Sequence, residues 1–319
     1  MHFTRLIRPL NLFIIALTMY GLGWYLDPME GCSCTYIVTD WPFFLLVLST
    51  VMIAAGGNII NDYFDVRADR VNKPEKLIIG KHVKKRVAIV SHWVLNFIAF
   101  SIAAYLSYRM KSFWYVFIHL FSINILWFYS MYFKRRFLSG NVLVAALTAL
   151  VPVIVGIFFF QSQVDLPYTG YIRYYPFTEQ LGIDILLYIA TGLACFAFVL
   201  NLAREIVKDI EDMEGDKVLK SQSIPITLGV KKSKWFIGII LLISVGLAAY
   251  FGLRFRELSV NNLLPVLLSG GVAIICVLLT IKAKERKHYR IINHLIKLAM
   301  TIGLLTPVYW KLLSIYGAN

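Results

Sequence analysis

Charge is scarce in this chain. Only 16% of its 319 residues are Asp, Glu, Lys or Arg, where a soluble domain carries about 25%. With 59% apolar residues and a mean hydropathy of +0.69, the composition excludes a disordered chain and an ordinary soluble enzyme. Cysteine is nearly absent too. Four residues make no secreted disulfide framework, and Cys195 and Cys276 lie inside apolar runs. Cys32 and Cys34 share one loop with no His nearby, so a metal pair there is not expected. The scarcest groups are the acids, 18 of them against 32 Lys and Arg, a formal charge of +14. In a soluble protein that surplus would suggest nucleic acid. Here it reads as basic cytoplasmic loops, and no nucleic-acid partner is expected. What is left is an integral membrane protein.

Apolar runs near the roughly 20 residues that a helix needs to cross a bilayer fall at 9–26, 41–60, 87–108, 113–133, 139–160, 185–203, 235–252, 263–281 and 291–310. The chain therefore reads as an all-α polytopic membrane protein of nine helices. Arg5 and Arg8 lead straight into the first span, with no separate cleavable signal. Most Lys and Arg fall in one alternate set of connections, from Arg67 to Arg86, at Lys134–Arg136, from Arg204 to Lys234 and from Lys282 to Arg290. By the positive-inside bias that side, with the N-terminus, is cytoplasmic and the C-terminus is outside. Tyr168, Tyr171, Tyr174, Tyr175 and Phe177 suit an interfacial aromatic belt in an outer loop. Lys297, inside the last span, is expected to snorkel in preference to facing the bundle, which is the other reading. His92, His119 and His294 are expected to be packed or hydrogen-bonded. Gly56-Gly57 permits close packing between helices.

Two cytoplasmic segments break this pattern. One runs from Asn58 through Asn61, Asp62, Asp65 and Asp69 to Arg70 at the end of the second span. The other runs from Arg204 through Lys208, Asp209 and Asp212 to Asp216 at the end of the sixth. With Glu75 they hold more than half of the 18 acids. Asn61, Asp65 and Asp69 recur every four residues, as do Lys208, Asp212 and Asp216. Four residues on a helix advance about 6 Å and turn about 40° past one revolution, so each triplet shares a face. Acids so placed repel unless something intervenes. A divalent cation relieves the repulsion, and Mg²⁺ takes few carboxylates and completes its shell with water and phosphate oxygens. Two opposed faces could thus grip a diphosphate through metal ions.

The segments also resemble each other beyond the acids. Asp69 and Lys73 precede Gly80 and Lys84-Lys85, while Asp216 and Lys220 precede Gly229 and Lys231-Lys232. This weak internal repeat suggests a pseudo-symmetric bundle that brings the two loops face to face. Arg70, Lys73, Lys134, Arg135, Lys208 and Lys220 flank the acids and could hold diphosphate oxygens.

At these residues the chain resembles the UbiA superfamily of intramembrane prenyltransferases. Its N-x-x-x-D-x-x-x-D motif is matched by Asn61, Asp65 and Asp69, and its D-x-x-x-D motif by Asp212 and Asp216. The likeness extends to Arg8-Pro9-Leu10-Asn11 and to Tyr129 and Lys134 after the fourth span, and covers nearly the whole chain. It implies a single UbiA-like domain over residues 1–319. It also implies Mg²⁺ held by Asn61, Asp65, Asp69, Asp212 and Asp216, with Asp62 and Asp209 as weaker candidates. Asp65, Asp69, Asp212 and Asp216 would carry catalysis. Arg8, Asn11, Asn58, Arg70, Tyr129, Lys134, Arg204 and Lys208 would bind substrate. The partners would be a polyprenyl diphosphate donor, a lipid or aromatic acceptor and membrane lipid, with the site facing the cytoplasm.

Many members carry Tyr where Arg204 stands. The run Arg204 to Asp212 is similar to the branch that adds a second geranylgeranyl chain to geranylgeranylglyceryl phosphate, and the extra cation suits a phosphate-bearing acceptor. Asn72-Lys73-Pro74, where relatives often have Arg-Pro, reads as neutral. The alternatives are an aromatic acceptor such as 4-hydroxybenzoate, a CDP-alcohol phosphotransferase and a transporter. The second lacks its D-G and A-R run here. The third would place its charges at mid-helix rather than at helix ends.

Overall fold

The computed structural model describes residues 2–27, 37–164, 184–254 and 260–316. Cys32, Cys34 and the aromatic residues assigned to an outer belt lie outside them. Among the described residues there is no strand, only one isolated bridge between Ile79 and Val83. The helices are α1 (His2–Leu6), α2 (Pro9–Leu26), α3 (Trp41–Asn72), α4 (Lys85–Arg109), α5 (Trp114–Met131), α6 (Ser139–Val164), α7 (Asp184–Glu211), α8 (Met213–Val218), α9 (Ile224–Arg254), α10 (Val260–Lys282), α11 (Arg286–Leu304) and α12 (Thr306–Tyr316). Nine spans among the described residues are long and apolar enough to cross a membrane, α11 and α12 together forming the last. The chain is a multi-pass membrane protein.

The helices depart from the apolar runs at the ends that carry the acidic motifs. α3 continues twelve residues past the expected end at 60, to Asn72, and α7 continues from 203 to Glu211. Hydropathy registers only the part of a helix that lies in lipid, whereas polar residues keep the backbone ladder wherever nothing breaks it. Lys73, with φ −148°, stops α3, as befits the residue before a proline. α9 begins at Ile224 rather than 235 and is broken at Gly229, whose φ is 80°. The last span is also interrupted. Pro307 cannot coexist with a helical carbonyl four residues earlier, so α11 stops at Leu304 and α12 restarts at Thr306.

Two large apolar cores support the bundle, beside a smaller one of Leu6, Ile59, Val66, Ile79 and Ala88. Met19, Leu22, Phe43, Leu46, Tyr115, Phe158 and Phe159 join α2, α3, α5 and α6. Leu200, Ile206, Ile237, Leu241, Cys276, Ile292 and Ile296 join α7, α9, α10 and α11. α6 packs along α7 and ties the two together. Gly56 and Gly57 do mark a close internal approach, since an added Cβ would lie 3.1 Å from Asn96 and 2.9 Å from Leu126. Between the two cores runs a cavity of about 300 Å³.

Candidate active site

The unbroken course of α3 carries the first acidic face. Asn61 donates to Asp65 at 3.0 Å. Lys134, on the tight turn Phe133–Arg135 that follows α5, donates to the Asn61 side-chain Oδ1 at 3.3 Å and ion-pairs with Asp65. Burial works against the Lys134 charge, but Asp65 and, at longer range, Asp216 outweigh it and hold the amine above the ordinary lysine range. Asp69 is half-buried one turn further on.

The second face keeps its spacing across a break. α7 ends at Glu211, yet the Asp212 N–H donates to the Lys208 carbonyl at 2.9 Å and the Asp216 N–H to the Asp212 carbonyl at 3.2 Å. Lys208, Asp212 and Asp216 therefore stay on one side. Burial, with the charges of Asp212 and Asp65 added and Lys134 opposing, lifts the Asp216 carboxyl from 3.8 to about 6. Asp65 on α3 and Asp216 on α8 thus share one electrostatic neighbourhood.

A clasp joins the two faces. Asn72 donates from Nδ2 to the Asp212 carbonyl at 2.9 Å and accepts at Oδ1 from the Gly215 N–H at 2.9 Å. Only glycine fits there, because a Cβ on Gly215 would lie 2.2 Å from Asn72 Nδ2 and 2.8 Å from the Ala68 carbonyl. Lys73 then reaches the Asp212 carboxylate at 2.8 Å, and Arg286 of α11 approaches it at 3.5 Å. The stretch Asn72-Lys73, read as neutral, is the part of α3 that holds the other motif in place.

The cavity opens beneath these acids. Asn61 and Lys208 line it, one turn short of Asp65 and Asp212 respectively. Arg8, Asn11, Asn58, Tyr129 and Arg204 line it as well. Deeper, Ile14, Ile15, Ile53, Leu147, Leu150 and Val151 make it apolar. Along α5 it runs from Tyr129 to Ile118, roughly 16 Å at helical rise.

Other expected residues are placed differently. Asp62 is taken up by an ion pair with Arg8, and Asp209 accepts from Asn141 at 2.8 Å. Arg70 is exposed and apart from the cluster, because one residue past Asp69 turns 100° off its face. Lys297 does not snorkel. It lines the cavity and donates to Asn11 at 2.6 Å, since α11 begins at Arg286 and its third turn meets the start of α2. His92 bonds the Gly56 carbonyl at 3.0 Å and His119 bonds Ser49 at 2.8 Å, as expected, but His294 is exposed. Sequence reasoning overlooked Asn72, Glu205 and Arg286, whose roles depend on contacts between distant segments.

The donors on the two faces are oxygens throughout. Among the described residues no three His, Cys, Asp or Glu form a ready metal cluster. Asp65 and Asp212 each face a cation instead. Such a set fits a hard ion that takes one or two carboxylates and completes its shell with water and phosphate.

Comparison with known proteins settles the family. The sequence profile described as the UbiA prenyltransferase family matches residues 32–299. The chain belongs to this family. It is 31% identical over 272 residues to the digeranylgeranylglyceryl phosphate synthase of Thermococcus gammatolerans, covering 85% of this chain and 79% of the relative. To the synthase of the same name from Pyrococcus horikoshii it is 32% identical over 234 residues, 72% and 70% of the two chains. Among solved structures, a digeranylgeranylglyceryl phosphate synthase superposes with a TM-score of 0.62 at 21% identity, over 96% of both chains. A UbiA homologue from Archaeoglobus fulgidus bound to GPP and Mg²⁺ gives 0.58 at 16% identity, over 96% of this chain and 99% of that one. At these identities the structural likeness is one of fold.

Proposed function

We propose that the protein, acting as one domain over residues 1–319, transfers a geranylgeranyl group from its diphosphate to geranylgeranylglyceryl phosphate. The acceptor hydroxyl oxygen bonds to C1 of the prenyl chain as the bond from C1 to the diphosphate oxygen breaks. The hydroxyl proton is released, an ether forms and diphosphate leaves. The observation that carries this reading is the convergence of two acidic helix faces, clasped by Asn72 and Lys73, beside a cavity whose wall includes Asn61 and Lys208 from those same faces. The names of the Thermococcus and Pyrococcus relatives support the choice of acceptor.

Asn61, Asp65, Asp69, Asp212 and Asp216 fit as the holders of Mg²⁺. When bound, Mg²⁺ would neutralise the diphosphate as negative charge builds on it in the transition state. Lys134 and Lys73, now paired with Asp65 and Asp212, are placed to turn their ammonium groups to phosphate oxygens once the carboxylates are engaged. The apolar walls hold the chain and keep water from the cation-like allylic carbon. Because the Lys- and Arg-rich connections lie on this side, the site faces the cytoplasm.

The test is an acceptor panel. Purified protein receives geranylgeranyl diphosphate with geranylgeranylglyceryl phosphate or with 4-hydroxybenzoate, with Mg²⁺ or with EDTA, and products are read by mass. The expected product is the diether phosphate, formed only with Mg²⁺. Prenylated 4-hydroxybenzoate as the sole product would replace the acceptor assignment, and full transfer in EDTA would sink the metal assignment.

A further inference from the structure

The cavity holds a second group of charges, which begins at Lys208 on the second acidic face and runs inward from it. Arg204 lies eight residues before Asp212 on α7, about 12 Å along the axis. It lines the cavity with Lys208 on the same helix and Lys297 on α11. Arg8 is also in the wall, but Asp62 neutralises it. The carboxylate in this wall is Glu205, only 5% exposed, which accepts from Arg204 Nη1 at 2.7 Å and from Lys208 at 3.5 Å. Lys297 has a neutral partner, Asn11, and no carboxylate within ion-pair distance among the described residues. Its charge and that of Arg204 are close enough to repel across the cavity. The Arg204 Nε–H is buried and has no hydrogen-bond partner among the described residues.

Lys208 also faces the charges of Asp209 and Asp216, but Arg204 and Lys297 are left to share the single carboxylate of Glu205, which leaves a net positive charge in a wall that is otherwise apolar or neutral. Gathering like charges away from bulk water is costly unless a ligand answers them. Resting on the function proposed above, we infer that Arg204, Lys208, Lys297 and Asn11 form a metal-independent subsite for the phosphomonoester of the acceptor. Such a group carries about −1.5 to −2 near neutral pH and three strong acceptor oxygens, which matches both the surplus charge and the open Nε–H. The donor diphosphate belongs one layer outward, where carboxylates rather than cations dominate and a metal must stand between. Asn201, in the same wall, fixes the geometry by accepting from Arg204 at 3.3 Å and donating to Thr148 at 2.8 Å.

The test separates the two phosphate sites by their need for metal. Binding of geranylgeranylglyceryl phosphate, of glycerol 1-phosphate and of inorganic phosphate to the full-length protein is titrated in EDTA. The expected result is tight binding of the lipid phosphate, weak competition by glycerol 1-phosphate, and donor binding only after Mg²⁺ is added. Lys297→Met should raise the acceptor KM about ten- to a hundredfold, the loss of one charge-assisted hydrogen bond, with the donor KM unchanged. Lys297→Arg should recover most of the affinity. A rise in donor KM alongside, or loss of acceptor binding in EDTA in the wild-type protein, overturns the subsite while leaving prenyl transfer standing. Failure of the wild-type protein to prenylate any phosphate-bearing acceptor, with transfer to 4-hydroxybenzoate intact, removes the function itself and the subsite with it.

Discussion

The two acidic helix ends carry the same spacing but are built differently. α3 runs without interruption through Asn61, Asp65 and Asp69 to Asn72, so its face is set by its own backbone ladder. The second face is interrupted at Asp212 and continues on the six residues of α8. It relies on groups brought from elsewhere, namely Asn72 and Lys73 from the end of α3 and Arg286 from α11. One face is a ruler and the other is clamped to it. A change at the clamp should therefore disturb the second motif and spare the first, whereas the reverse is not available.

The largest effects fall on the carboxylates themselves. Asp65→Ala and Asp212→Ala should each lower Mg²⁺-dependent transfer by at least about a hundredfold, measured in protein whose thermal unfolding remains cooperative. Near-normal turnover by either variant would show that the corresponding face is structural.

Next comes the clasp. Asn72→Ala leaves the Gly215 N–H and the Asp212 carbonyl without their partner, which costs about 1–3 kcal/mol. Gly215→Ala forces a Cβ to within 2.8 Å of a backbone carbonyl, which cannot yield as a side chain would, and costs a similar 1–3 kcal/mol. Hydrogen exchange tells the asymmetry apart. Amides of residues 213–218 should exchange faster in both variants while those of residues 61–70 keep their protection. Equal loosening of both stretches would break the comparison.

The clasp also shows what could be read from residues alone. The nine spans and the two i, i+4 faces were legible because each is local, set by hydropathy or by helical repeat. The ends of α3 and α7 were not, since hydropathy falls where the helix leaves lipid although the helix continues. Asn72 meets Asp212 across 140 residues and Lys297 meets Asn11 across 286. No periodicity links such pairs, so Asn72-Lys73 passed as neutral and Lys297 as a snorkelling lysine.

Proton binding sharpens the contrast further. Because Asp216 is lifted to about 6, the folded chain holds a proton there more tightly than the unfolded chain, whose value is 3.8. The stability this proton gives is fully present below 3.8 and is lost as pH rises through about 6. Without metal, the melting temperature should therefore fall across that window, and Mg²⁺ should restore it at the upper end. Conversely, the apparent Mg²⁺ affinity should weaken as pH drops below about 6, where the proton competes for the same carboxylate. Asp216→Asn should make both profiles shallower by the share of that one carboxylate, and an unchanged pH dependence in that variant would assign the titration elsewhere.

The smallest expected effect tests how far the likeness of the two halves extends beyond the acids. Gly80 and Gly229, paired by the weak internal repeat, both adopt positive φ, 88° and 80°, and neither has an atom within 4 Å of where a Cβ would stand. Space is therefore no obstacle to alanine at either position, and backbone strain alone decides the cost, about 1–3 kcal/mol each. Gly80 closes the turn before α4 and Gly229 breaks α9 just after its start. If the halves are equivalent by construction, Gly80→Ala and Gly229→Ala should lower stability by the same amount in thermal unfolding. A Gly229→Ala variant as stable as wild type would mean that α9 straightens through the break at no cost. The second loop would then follow its clamp at Asn72 rather than a backbone geometry shared with the first.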